Sequence, residues 1–236
     1  MVRAAVFVTG TVAFTLLLGW LSWHTGRWLR TVELDVNPLL PLPELLGRLV
    51  MIGVCLVLGR LSGLSAEVLG WTASDPLVDV GWGLGLGALC QVVLQAVTVR
   101  AVRRWGWHVY SPLLIRSLLP RTPSEWVAVP LALVPGVALE ELLFRSLWVG
   151  GFSSLASPWL MAGIMALIYG AFHVLQGPLG AIAAAGIGLG LAALFLWRGS
   201  LLAPLTAHLV YNWLQLWAAH RQRDWLWSFD GTSEEG

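Results

Sequence analysis

Leu139-Glu140-Glu141-Leu142-Leu143-Phe144-Arg145 lies inside an apolar run, 126–152, with no turn or polar loop to account for its three charges. If that run crosses a bilayer, each charge costs about 2.5–3.5 kcal/mol on insertion scales, or about 8–10 kcal/mol for the three before any pairing. Charges kept at such a cost mark a working site, and the rest of the chain says what the site works with.

The chain has 236 residues, of which 57% are hydrophobic and 11% charged, and its mean hydropathy is +0.75. Soluble domains carry about 25% charged residues, so this is a membrane protein. The 14 basic residues, all arginine, nearly balance 13 acidic ones. That balance contains no basic block of the kind that binds nucleic acid. Arg100, Arg103 and Arg104 read instead as a topology signal. Cys55 and Cys90 both sit in apolar runs, where cysteine packs as a small hydrophobe. Arg3 followed by 4–18 has the look of a signal peptide, but the bulky Gly19-Trp20-Leu21-Ser22-Trp23 offers no small-residue cleavage site. An uncleaved first span is expected.

Residues 4–23 are long enough to cross a hydrocarbon core of about 30 Å. The segment 24–48, with Arg27, Arg30, Glu33, Asp35 and three prolines, reads as a loop with a short interfacial helix. A second span over 49–64 requires Leu45 and Leu46 to join it and Arg60 to snorkel. The third covers 80–99, and the arginine-dense 100–124 follows as the expected cytoplasmic loop. Four apolar runs then come in quick succession, at 126–152, 158–175, 179–197 and 201–219. Loops this short force neighbouring helices to be antiparallel and packed. The expected fold is all-α, a polytopic bundle of about seven transmembrane helices around a polar cavity. It forms a single membrane domain over 1–236 with a polar tail at 220–236. Trp20, Trp23, Trp126, Trp148, Trp159, Trp197 and Trp217 lie near run ends, and an interfacial belt explains most of them. Gly81-Trp82-Gly83-Leu84-Gly85 and Gly186-Ile187-Gly188-Leu189-Gly190 follow no strand, so close helix packing accounts for them better than nucleotide binding.

The intramembrane polar inventory reads as short. It holds Glu140, Glu141 and Arg145 in one run, Tyr169 and His173 in the next, and His208 and Asn212 in the last. Each group has i, i+4 spacing, so Glu141 can pair with Arg145, Tyr169 with His173, and His208 with Asn212. Glu140 points about 100° away from Glu141, which leaves one carboxylate free while the other is held. A free carboxylate with histidine can activate water, and imidazole and amide donors can stabilise an oxyanion. The blander readings are a structural Glu141–Arg145 pair and interhelical hydrogen-bond glue from His208 and Asn212. Zinc stays open too, because glutamate and two histidines are legitimate ligands. No His-Glu-x-x-His helix is present, however, and asparagine is a poor zinc ligand, so no metal is expected.

Glu140-Glu141-x-x-x-Arg145, Tyr169-x-x-x-His173 and His208-x-x-x-Asn212 are similar, in order and spacing, to the three motifs of a known family. This is the CPBP family of CAAX prenyl proteases and bacteriocin-processing proteins, also called Abi, the glutamic intramembrane proteases. The approach to the third motif, Trp197-Arg198-Gly199-Ser200-Leu201-Leu202-Ala203-Pro204, resembles the family as well. The likeness covers about 126–216, the expected catalytic core. It implies that Glu140 activates water together with His173, that His208 and Asn212 form the oxyanion site, and that Glu141, Arg145 and Tyr169 support them. Tyr169 stands where the family more often has phenylalanine. The implied activity is metal-independent hydrolysis of a peptide bond in a membrane-associated peptide or protein, by a multi-pass protein of the prokaryotic inner membrane. The implied partners are the lipid bilayer and the substrate. A non-catalytic family member that binds peptides or confers bacteriocin immunity is the alternative. A small transporter is a third reading, but it lacks paired broken helices and an internal repeat. With straight spans, Glu140 and His173 fall at different depths, and Pro135-Gly136 and Gly170 are the expected places for a bend.

Overall fold

The computed structural model describes residues 2–31 and 36–228. Among these, all regular structure is helical. The long helices are α1 (Val2–Leu29), α2 (Leu42–Leu61), α3 (Pro76–Trp105), α5 (Glu125–Glu141), α7 (Gly177–Arg198) and α8 (Leu202–Arg221). The shorter ones are α4 (Leu113–Leu118), α6 (Pro158–Ala171) and α9 (Arg223–Trp227). A wide π-helical segment, Leu142–Gly150, continues α5. Their ends follow local chemistry. Proline occupies the first turn of α2, α3, α6 and α7, where its missing N–H goes unnoticed. The Asp75 side chain caps α3 by accepting from the Val78 N–H at 3.2 Å. Gly199, at φ +62°, closes α7 in the left-handed conformation.

Five helical stretches are long and apolar enough to span a bilayer, counting α5 with its π segment and α7 with the turn before it. The expected count of about seven is approached with two further helices of a different character. α6 has 14 residues, short of the ~20 a span needs. α8 has the length, at 20 residues, but carries His208, Asn212 and Gln215. Boundaries moved as well. α1 runs to Leu29 and α2 begins at Leu42, so much of the expected loop 24–48 is helix, and no separate interfacial helix forms among its described residues. Glu33 and Asp35 lie outside those residues, as do Glu234 and Glu235 of the tail. α3 continues through Arg100, Arg103 and Arg104 to Trp105 before the chain turns.

Successive helices α5, α6, α7 and α8 alternate in direction, so α5 and α7 run parallel with Gly150 beside Phe195, while Gly170 of α6 meets Ala181 of α7 and Gly188 meets Ala166. At one end, the Leu201 N–H donates to Gly70 O at 2.8 Å. At the other, the Ser111 N–H donates to Gln176 O at 2.9 Å and Asn37 Nδ2 to Leu118 O at 2.8 Å. The second end also carries Arg27, Arg30, Arg100, Arg103, Arg104, Arg116, Arg121, Arg221 and Arg223, and is called the basic end below. Glycines set the closest helix contacts. A Cβ at Gly83 on α3 would come within 2.8 Å of Ala203 O on α8, and one at Gly170 on α6 within 2.7 Å of Ala181 O on α7. In both glycine-rich stretches only the middle residue packs this way. Gly81, Gly85, Gly186 and Gly190 face open space.

Large apolar side chains such as Leu77, Leu167 and Ile182 point outward, as lipid contact allows and water would not. Of the expected belt, Trp20, Trp23, Trp159, Trp197 and Trp217 are exposed, and Trp126 is half-buried against the core. Trp148 instead turns inward and donates to Thr15 Oγ1 at 2.8 Å. Cys55 and Cys90 are free thiols. The chain is an integral membrane protein.

Candidate active site

The two adjacent acids have opposite surroundings. The Glu141 side chain is 1% exposed, and its Oε1 receives Arg145 Nη1 at 2.9 Å. Arg145 is equally buried and gives Nη2 to Gly188 O on α7 at 3.2 Å, so the pair ties three segments together. The chain reaches Arg145 through the π segment, whose wider turns are closed by bonds such as Gly151 N–H to Ser146 O at 2.8 Å. Segments of this kind recur at functional sites. The sequence reading placed a bend at Pro135-Gly136 instead. Pro130 and Pro135 do lie within α5. Two carbonyls along that part of the helix serve outside partners, with Trp213 Nε1 on Pro130 O at 3.1 Å and Arg48 Nη1 on Ala132 O at 3.2 Å.

Glu140, by contrast, keeps 39% of its side chain exposed. Its Oε2 accepts from the Tyr169 hydroxyl at 2.8 Å and lies 3.9 Å from His208 Nε2. His208 does not pair with Asn212 as its spacing allowed. Its Nδ1 lies 2.7 Å from Glu141 Oε1. An ionised carboxylate can only accept, so Nδ1 carries a proton, and Nε2 becomes a donor when the ring is an imidazolium. That nitrogen lies 3.4 Å from the Tyr169 oxygen. Tyr169 therefore joins the open acid to the buried Arg145–Glu141–His208 chain, with the Arg145 guanidinium 5.3 Å above its ring.

His173 follows α6 in the turn after Ala171, so the early stop of that helix sets its depth. Its Nδ1 meets Tyr169 O at 2.7 Å. A carbonyl accepts, so this nitrogen is the N–H, and Nε2 is left with the lone pair of the neutral ring. The Asn212 side chain has no hydrogen-bond partner among the described residues. Glu140, Tyr169, His173, His208 and Asn212 all line one cavity of about 810 Å³ that runs to the basic end. The four candidate catalytic side chains thus share a single space. Within it Glu140 touches Tyr169 and approaches His208.

Residues 122–214 match the family model described as type II CAAX prenyl endopeptidase, Rce1-like. This segment is Rce1-like. The match takes in all three motifs, from Glu140 to Asn212, over less than half of the 236 residues. No curated protein and no solved structure matches the chain. The family is one of membrane endopeptidases of the CAAX-protease type, and the Rce1-like segment supplies Glu140, Tyr169, His173, His208 and Asn212 to the cavity.

Further residues, most of them outside the Rce1-like segment, complete the cavity, and the sequence reading passed over them. Arg48 and Glu44, assigned there to a loop, face the cavity from α2, paired at 2.9 Å. Gln91 and Gln95 of α3, Tyr211 and Gln215 of α8, and Gln222 beyond it also line the cavity. The available signal was their spacing, since Gln91 and Gln95 are i, i+4, and His208, Asn212 and Gln215 are i, i+4, i+7. Among the described residues, no three His, Cys, Asp or Glu side chains are grouped to hold a metal ion. His208 Nδ1 and Glu141 are engaged with each other.

Proposed function

We propose that this protein is an intramembrane, metal-independent endopeptidase of the glutamic type, hydrolysing a peptide bond in a membrane-associated peptide or protein. The observation that carries the reading is the unequal placement of the two acids. Glu140 opens onto the cavity shared with His173, His208 and Asn212, while Glu141 is fixed by Arg145 and His208.

In this reading Glu140, with the His173 lone pair alongside, takes a proton from water, and the hydroxide forms a C–O bond to the scissile carbonyl. The carbonyl oxygen becomes an oxyanion facing the Asn212 amide and the His208 Nε2–H. Glu141 favours the imidazolium that supplies this second donor. The C–N bond then breaks as Glu140 returns its proton to the leaving nitrogen. Water is consumed, and an acid and an amine are released. The basic end faces the cytoplasm by the positive-inside rule, so the substrate enters from the cytoplasmic side of a prokaryotic inner membrane.

Membranes carrying wild type and Glu140→Ala, compared by mass spectrometry of peptide termini, test this directly. New termini should occur only with wild type; identical profiles would return the chain to a peptide-binding or immunity role. Chelators should leave the wild-type rate unchanged, and a loss restored by zinc would overturn metal independence.

A further inference from the structure

Below the candidate catalytic groups, the cavity is lined by a row of neutral polar side chains. On α8 the face that begins with His208 continues through Asn212 and Gln215 toward Gln222, at i+4, i+7 and i+14, with Tyr211 alongside. α3 adds Gln91 and Gln95, one turn apart. Gln91 Nε2 donates to Gln95 Oε1 at 3.4 Å, and Gln95 Nε2 donates to Gln222 Oε1 at 2.8 Å. A carboxamide offers two N–H donors and an oxygen with two acceptor sites, so these contacts use only part of the capacity. The side chains of Tyr211, Asn212 and Gln215 have no hydrogen-bond partner among the described residues. The same cavity is also lined by Leu18, Leu21, Phe172 and Leu175, and by the Arg48–Glu44 pair.

Helix packing accounts for Gln95 and Gln222, which tie α3 to the end of α8, but not for Tyr211, Asn212 and Gln215, whose side chains bond no neighbouring helix among the described residues. α3 and α8 make their close approach nearer the other end, where Gly83 and Gly87 meet Ala203 and Ala207. Nor does the row carry formal charge, so it does not select an ionic ligand. Neutral groups that both donate and accept, in a row along the cavity, match the main chain of an extended peptide, which presents one donor and one acceptor per residue.

We propose that this carboxamide wall binds the extended main chain of the substrate between the scissile bond and the basic end. The proposal rests on the peptidase reading and adds the shape and chemistry of what is bound. His208 and Gln222 are separated by 14 residues of sequence, about 21 Å at a helical rise of 1.5 Å. At about 3.3 Å per residue, an extended chain covers that distance in about six residues. Side chains leave such a chain on alternate sides, so those that reach Leu18, Leu21, Phe172 and Leu175 meet apolar surface. Along this row the substrate is an extended segment recognised chiefly through its backbone.

The test uses the full-length protein in lipid vesicles. The probe is the peptide it cleaves fastest from a synthetic pool of about twelve residues each, twice the reach of the wall. N-methylation of single main-chain amides within that reach should raise KM about tenfold, or about 1.4 kcal/mol, while kcat stays within about twofold. Gln215→Leu and Gln95→Leu should raise KM for the unmodified peptide. They should add little for the peptide methylated opposite them. Shortening the peptide on the cytoplasmic side should raise KM once fewer than about six residues remain. Cleavage with a KM indifferent to methylation, to peptide length and to both leucine variants would overturn the proposal and leave the peptidase reading standing. The methylation and length series need no variant, so misfolding cannot mask that result. Wild type that cuts no faster than Glu140→Ala would overturn both.

Discussion

Among the described residues, two buried carboxylates are paired with arginine, and the pairs differ in what they hold. Near the end opposite the basic one, Arg198 Nε binds Asp79 Oδ1 at 2.6 Å, joining α7 to α3, and Asp79 is fully buried. At the cavity, Arg145 binds Glu141. Each pair leaves one carboxylate oxygen, Asp79 Oδ2 or Glu141 Oε2, without a hydrogen-bond partner among the described residues. Burial and pairing therefore do not separate them. The difference is the third partner, because Glu141 also fixes His208, whose far nitrogen reaches Tyr169 and Glu140. Asp79 holds no second titratable side chain among the described contacts. A buried ion pair is weak evidence of function by itself. It gains meaning when it orients a group that faces water.

The comparison breaks at its strongest point if Glu140 is dispensable. Glu140→Ala should lower the cleavage rate by about 10²–10⁴, the usual contribution of general acid–base catalysis. Unfolding temperature should barely change, because this side chain is partly exposed. Next in size, Arg145→Leu leaves the buried Glu141 with His208 as its one remaining hydrogen-bond partner among the described residues, a loss of about 3–5 kcal/mol. Thermal stability and cleavage should fall together, in contrast to Glu140→Ala.

Tyr169→Phe sharpens the comparison, since it deletes only the hydroxyl between Glu140 and His208. The expected fall in kcat is about tenfold with KM unchanged, as for an interaction that matters in the transition state. An unchanged kcat would reduce Tyr169 to packing. The smallest effect on activity belongs to the other pair. Asp79→Asn should lower the unfolding temperature and leave kcat within about twofold, because the deleted charge touches no group of the cavity. A matching loss of kcat would erase the distinction drawn between the two pairs.

Much of this was legible in residues 126–216. Glu140-Glu141-x-x-x-Arg145 and the two histidine motifs gave the order and spacing of the groups that line the cavity, and the i, i+4 rule paired Glu141 with Arg145. The same rule misdirected His208, which passes over Asn212 for Glu141 on another helix. Local spacing states which partners are within reach, whereas the preferred one depends on a charge brought from elsewhere in the chain. The π segment was hidden because Leu142–Gly150 reads as an ordinary apolar helix. Gln91, Gln95 and Gln215 were overlooked because single glutamines in long apolar runs carry little signal until two helices align them.

By itself, the sequence determined that the chain is helical and lies in a membrane, since an apolar composition with few charges permits little else. It also determined that Glu140 and Glu141 differ, because adjacent residues on a helix must face different ways. Only the tertiary structure decided which acid meets the cavity and that a tyrosine joins it to His208. It alone aligned the carboxamides of α3 and α8 beneath the site. Those outcomes depend on how far α6 extends, how the chain widens after Glu141, and where glycines let helices close. Each is a matter of packing between segments distant in sequence.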